Sequence, residues 1–223
     1  MLEVVLDTET TGLSLKDGHR VVEIGCIELS NQIPTSKKFH CYLNPERKVS
    51  EKALEVHGHT DEFLSDKKKF KEIADDFLNF IKNKKLIIHN AEFDLGHLNN
   101  ELIIAGKDKI NKDHVVDTLE LARDKFPGSP INLDALCKKF RIDNSKRVHH
   151  TALLDCELLS KVYINLIDQR EPTLNFYDQK EKVNDLDSIN NVYYKKVIKP
   201  SSDEIKLHKE FLKKSLKKNF FSN

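Results

Sequence analysis

The sequence predicts a mixed α/β domain, one sheet flanked by helices, and three observations carry that expectation. Three strand-like segments follow one another near the start. Helices and short apolar strands then alternate, the pattern of a sheet covered by helices. After residue 168 the periodicity gives way to polar texture, so the folded part should end there.

The elements can be justified in order. LEVVL at 2–6 is apolar and β-branched, which suits a central strand buried on both faces. RVVEIGCIEL at 20–29 and KFHCYLN at 38–44 read as two more strands, separated by polar loop residues. Segment 69–82 places Phe70, Ile73, Ala74, Phe77, Leu78 and Ile81 on one helical stripe. LIIH at 86–89 is a short buried strand. DLGHLNNELIIAG at 94–106 is a helix ended by Gly106. HVVDT at 114–118 begins as a strand and runs into the helix LELARDKF, closed by Pro127 and Gly128. LDALCKKF at 133–140 and TALLDCELLSKVYINLI at 151–167 are two further helices, the second with Leu154, Leu158 and Val162 facing inward. Residues 169–200 read as a linker. A final amphipathic helix is expected over 201–218, with Ser201 and Glu204 as a capping box, Ile205, Phe211, Leu212 and Leu216 as an apolar stripe, and a basic face of lysines.

Composition excludes several classes. Hydrophobic residues make up 39% of the 223, enough for a core, yet no run approaches membrane-spanning length and the N-terminus has no secretory pattern. The four cysteines, Cys26, Cys41, Cys137 and Cys156, form no CxxC pair or zinc spacing and read as reduced buried thiols of a cytosolic protein. A net charge of +1 gives no bulk attraction for nucleic acid. A polyanionic ligand would have to be held by local basic groups or by metal.

Chemistry concentrates at four places. Asp7 and Glu9, separated by one Thr, share one face of a strand and repel, which calls for a cation to hold them. Asp94 stands at a helix start after the LIIH strand, Asp155 near the start of the long helix, and His150 five residues before it. Acids at strand ends and helix starts converge on one edge of such a sheet. Oxygen donors of this kind suit Mg²⁺ or Mn²⁺. Two such ions can drive phosphodiester hydrolysis, with a neutral imidazole taking the proton of the attacking water. Each residue alone has an ordinary reading: a solvated turn for Asp7 and Glu9, a helix-dipole partner for Asp94 and Asp155, an exposed side chain for His150. Agreement among several spacings decides between the two.

DTETTGL, HNAEFDLGHLNNEL and HHTALLDC resemble, in order and spacing, the three motifs of the DEDDh 3′–5′ exonucleases. VHGHTDEFL, NLDALCKKFRIDNSKR and HTALLD are similar to the proofreading epsilon-subunit family of bacterial DNA polymerase III. The resemblance covers about residues 2–168. It implies a ribonuclease-H-like fold with a five-stranded mixed sheet, two divalent cations bound by Asp7, Glu9, Asp94 and Asp155, and His150 as general base. The family leaves four residues between its histidine and the last acid, which selects His150 over His149. It also implies a terminal-nucleotide pocket lined by Asp7, Thr8, Glu9, Thr10, Thr11, Gly12, Leu13 and Asp155, with His57 and Asn90 as further contacts. Lys52 falls at a lining position that is often acidic in the family.

The activity so implied is proofreading removal of mismatched nucleotides from a DNA 3′ end, in the bacterial cytoplasm at the replisome. The organisation implied is an exonuclease domain over 1–168, a linker over 169–200 and a polymerase-binding segment over 201–223. The partners implied are the polymerase III catalytic (alpha) subunit through that last segment, a small theta-type subunit and the sliding clamp. EPTLNF at 171–176 resembles the clamp contact, with Glu171 where that contact has Gln. Two rivals stand beside this reading: a stand-alone DEDDh enzyme trimming RNA or single-stranded DNA, and an inactive polymerase-binding scaffold.

Overall fold

A computed structural model of the chain describes residues 2–147, 149–167 and 199–215. The chain divides into two compact units, residues 1–173 and 174–223. The first holds a five-stranded sheet of order β3-β2-β1-β4-β5. β1 (Leu2–Thr10), β2 (Val21–Ser30) and β3 (Ile33–Tyr42) form an antiparallel meander, and β4 (Lys85–Ile88) and β5 (Val115–Asp117) run parallel to β1. The mixed sheet is therefore the one expected.

β1 is central because both its faces are apolar. Val4 and Leu6 pack with Ile24, Cys26, Leu86 and Ile88 under α3 (Phe70–Ile81) and α4 (Ala91–Ile104). Val5 packs on the opposite face with Ile27, Leu29 and Ile87 under α5 (Thr118–Lys125), α6 (Leu133–Phe140) and α7 (Ala152–Leu166). The helical stripe read from α3 is buried at Phe70, Ile73, Ala74, Phe77 and Ile81. Leu158 and Val162 of α7 are buried as expected, and Leu154 packs half-buried against the same cluster. Of the cysteines, Cys26, Cys137 and Cys156 are buried free thiols, and Cys41 is partly buried against the core.

Three boundaries differ from the sequence reading. β1 runs to Thr10 rather than ending at Leu6, because β2 supplies backbone partners out to the Thr10–Val21 pair whatever the side chains are. β3 begins at Ile33, where the turn from β2 starts the pairing, although its side chains are largely exposed. α4 begins at Ala91, so Asp94 lies in its first turn. Two short helices, α1 (Glu51–His57) and α2 (Asp61–Ser65), were not expected. Each buries a single side chain, His57 and Leu64, and so lacks an apolar stripe. Their signature is in the caps: Ser50 accepts from Ala53 N, Thr60 from Phe63 N, and Gly58 takes the left-handed conformation at φ 75°.

In the second unit, α8 spans Ser202–Ser215, with Ser201 and Glu204 reciprocally bonded as its capping box. Ile205, Leu207 and Phe211 are exposed and Leu212 is half-buried. Leu216 and the EPTLNF segment lie outside the described residues, as does most of the expected linker. Among the described residues no helix is long and apolar enough to cross a membrane.

Candidate active site

β4 ends at Ile88 while β1 continues to Thr10, so the last residues of β1 have no paired strand on that side. The gap opens a cleft of roughly 720 Å³ at the carboxyl edge of the parallel strands. Odd-numbered residues of β1 face α7. Glu3 therefore accepts a hydrogen bond from Tyr163 Oη at 2.9 Å, and Asp7 and Glu9 project toward Asp155 in the first turn of α7.

Gly25 lets that helix come close. It pairs with Asp7 in register, and a Cβ there would lie 2.4 Å from the carbonyl carbon of Ala152. No side chain can be placed against helix backbone at that distance, so glycine is what allows Asp155 to reach the sheet beside Asp7. Cys156 Sγ fills the space next door, 3.2 Å from Gly25 O.

Asp94 arrives from the other layer. Its Oδ1 accepts from Thr8 N at 3.0 Å and from Thr8 Oγ1 at 2.7 Å, which pins the start of α4 to β1. Further along α4, Glu101 accepts a forked pair from Arg20 at 2.6 and 2.7 Å, tying that helix to the start of β2. The loop before α4 is held by Asp117, whose carboxylate accepts from Asn90 N at 3.0 Å, Ala91 N at 2.9 Å and Leu119 N at 2.8 Å. Asn90 itself is exposed, in the left-handed conformation at φ 69°. The loop is thus positioned through the Asn90 backbone, and its side chain is left facing the cleft.

Burial, the largest cause in each case, raises the pKa of Asp7, Glu9 and Asp94 above the usual carboxylate range. Asp7 is raised well above ordinary carboxylates by burial, then by Asp94 and Glu9. Glu9 is pushed to about 8 by burial, then by Asp155 and Glu23. Asp94 rises to about 7, chiefly through burial, with the Thr8 hydrogen bonds pulling the other way. Desolvation is a larger cause at Asp7 and Glu9 than the repulsion between the carboxylates.

Glu23, opposite Glu9 in register, has the reverse fate. Burial raises its pKa, but hydrogen bonds from His40 and His59, both at 2.8 Å, overcome this and bring it down to about 2. His59 N also donates to His57 Nδ1 at 2.9 Å. Because Nδ1 accepts, His57 Nε2 carries the proton and donates to Thr10 O at 3.2 Å. Burial, then His59, lower the His57 pKa to about 4, so the ring is neutral. Both its nitrogens are engaged, and Nε2 holds the β1 end.

His150 is half-buried, its backbone N bonded to Val56 O at 3.0 Å and its Nδ1 3.6 Å from Asp155 Oδ2. Burial, then Arg147, lower its pKa, which favours the neutral ring. His149 is exposed beside Gly58 and does not line the cleft.

Of the residues expected from sequence, Asp7, Thr8, Glu9, Thr10, Gly12, Leu13, Lys52, His57, Asn90, Asp94, His150 and Asp155 all line this cleft. Thr11 does not. It is fully buried, its hydroxyl 2.9 Å from His19 Nδ1 and accepting from Arg20 N at 3.0 Å. Its work is to shape the turn after β1. Sequence reasoning missed Arg147, which forks onto Asp155 with both bonds at 2.6 Å and also reaches Asp134. The signal was its place in NSKR, three residues before His150, a stretch read only as a likeness.

Four acids and a histidine at this edge of a β3-β2-β1-β4-β5 sheet define a DEDDh-type nuclease. Residues 4–163 match the family model described as Exonuclease (RNase_T). The chain is 48% identical over 222 residues to the DNA polymerase III subunit epsilon of Rickettsia conorii, covering 96% of each chain. It is 40% identical over 234 residues to that of Haemophilus influenzae, covering 97% of this chain and 91% of the relative. Among solved structures, exonuclease X in complex with 5′ overhanging duplex DNA superposes with a TM-score of 0.58 at 23% identity, over 75% of this chain and 92% of that one. A structure of exonuclease I gives 0.67 at 18% identity, over 77% and 41%. The chain belongs to the exonuclease family and, within it, to the epsilon subunits of DNA polymerase III. It is a proofreading-type 3′–5′ exonuclease, of a family that depends on divalent metal.

Proposed function

We propose that this chain removes mismatched nucleotides from the 3′ end of DNA by two-metal hydrolysis, as the proofreading subunit of a bacterial replicative polymerase. The observation that carries the reading is the convergence of Asp7, Glu9, Asp94, Asp155 and His150 in one cleft. The donor set fits divalent ions. Ligand atoms of Glu9, His150 and Asp155 lie within 4.8 Å of one another, and burial raises the pKa of Asp7 and Glu9, so a divalent cation would favour their ionised forms. Oxygen donors favour Mg²⁺ or Mn²⁺. Such ions, held by the four acids, would activate the attacking water and stabilise the leaving oxygen.

The chain's own residues supply the rest. A neutral His150 offers one nitrogen lone pair for the proton of the water. Leu13, 81% exposed at the rim, presents an apolar face to a terminal base. Thr10, Gly12, Lys52 and Asn90 line the space around it, and His57 fixes the β1 end beneath. A paired terminus must lose pairing and stacking, at a few kcal/mol, before it enters so narrow a site, whereas a mismatched one is already partly open. The test is nucleotide release from matched and mismatched 3′ ends with Mg²⁺ or Mn²⁺. Faster release at the mismatch is expected. Equal rates, or a preference for RNA, would refute this substrate reading.

The same reading gives α8 a role as anchor to the polymerase catalytic subunit, in the cytoplasm at the replication site. Support comes from Ile205, Leu207 and Phe211, which α8 leaves exposed. Tethering would raise the effective concentration of a nuclease whose net charge of +1 gives it little hold on DNA. Deleting residues 201–223 is expected to leave hydrolysis of short single strands unchanged and to abolish co-elution with that subunit. Co-elution of the truncated chain would refute the anchor.

A further inference from the structure

The cleft already contains a cation of its own. Arg147 Nε and Nη2 each lie 2.6 Å from an oxygen of Asp155, a forked pair in which both side chains are almost inaccessible, 7% and 4% exposed. Nη2 also lies 3.0 Å from His150 Nδ1. A guanidinium can only donate, so Nδ1 accepts and its lone pair is occupied. One side chain thus engages both carboxylate oxygens of Asp155 and one ring nitrogen of the histidine beside it.

We propose that Arg147 is an internal counter-cation that holds Asp155 and His150 in the metal-free enzyme and competes with the divalent ion for Asp155. The proposal rests on Asp155 being a metal ligand, as argued above. A forked arginine satisfies both oxygens of a carboxylate, so a metal ion taking an oxygen must break at least one of these bonds. Arginine does not deprotonate in proteins, so Arg147 cannot yield by losing its charge; it has to move.

The structure provides a place for it to retreat. Nη1 is bonded to Asp134 Oδ2 at 2.6 Å, and Asp134 is half-exposed on α6, on the solvent side of the guanidinium. Asp134 is also gripped by Asn144 Nδ2 at 2.8 Å, and Asn144 O accepts from Arg147 N at 3.0 Å. The arginine can therefore give up Asp155 while keeping a carboxylate. Surrender of Asp155 and release of the His150 lone pair are then one event, so the general base becomes free as the metal enters. Arg147 is a positioning residue in this scheme.

The test is calorimetric titration of the full chain with Mn²⁺ alone, comparing wild type with R147Q, R147K and D155N. R147Q is expected to bind Mn²⁺ about tenfold more tightly, the scale set by surrender of a charge-assisted forked pair. R147K keeps the charge and loses the fork, so it should fall between. In chelator R147Q should melt below wild type, and the gap should close at saturating Mn²⁺. A purely structural role would lower both melting points and leave affinity unmoved. Unchanged or weaker Mn²⁺ binding in both R147Q and R147K would overturn the competition. Wild-type affinity in D155N would instead overturn the metal reading of Asp155, and the proposal with it.

Discussion

Glu9 makes the metal-free enzyme pH-sensitive in a direction opposite to that of a salt-bridged carboxylate. Its pKa rises from an ordinary 4.5 in the unfolded chain to about 8 in the fold, through burial and then Asp155. Between those two values the folded state binds the proton and the unfolded state does not. Stability therefore falls as pH climbs through the window and levels off above about 8. At about 1.4 kcal/mol per pH unit the ceiling is roughly 5 kcal/mol. The neighbouring acids share protons with Glu9, so about half of that should be expressed, worth about 5–10 °C in a domain of this size. Glu9→Gln keeps the shape of the protonated form and removes the titration. In chelator the variant should match wild type near pH 5 and melt progressively higher toward pH 8. With Mn²⁺ the order should reverse, because the wild type gains a ligand. Thermal melts across pH 5 to 8 read both effects. A constant offset between the two chains in chelator would refute the reasoning.

Other consequences are equally direct. His150→Gln should lose about a hundred- to ten-thousandfold in hydrolysis, while His149→Gln, exposed and outside the cleft, should stay near wild type in the same assay. Gly25→Ala forces a Cβ against the Ala152 backbone; it should cost about 1–3 kcal/mol in denaturant unfolding and reduce activity further than that loss explains, since α7 carries Asp155. Asp117→Ala removes the acceptor of three backbone N–H groups; a loss of about 1–2 kcal/mol is expected, with activity falling as the loop that presents Asp94 loosens, measured by melting and nuclease assay together.

The sequence by itself determined the mixed sheet, the α3 stripe and the identity of the acids. These are local properties: hydrophobic period, strand alternation, and motif spacing that survives without knowledge of contacts. Asp7 and Glu9 had to share a face once they stood in a strand. Tertiary structure alone decided how those acids are held and what their charges do. Asp117 positions the Asn90 loop across 27 residues, Thr8 pins Asp94 across 86, and Arg20 grips Glu101 across 81. None of these pairings has a period to read. Thr11, expected in the pocket, turned inward because a buried hydroxyl takes the partners nearest to it, His19 and Arg20. Arg147 lies only 8 residues from Asp155, yet it stands in the irregular segment after α6 while Asp155 sits in the first turn of α7. Whether an arginine there faces solvent or an acid depends on the path of that segment, and on the desolvation that makes a buried carboxylate bind whatever cation is within reach.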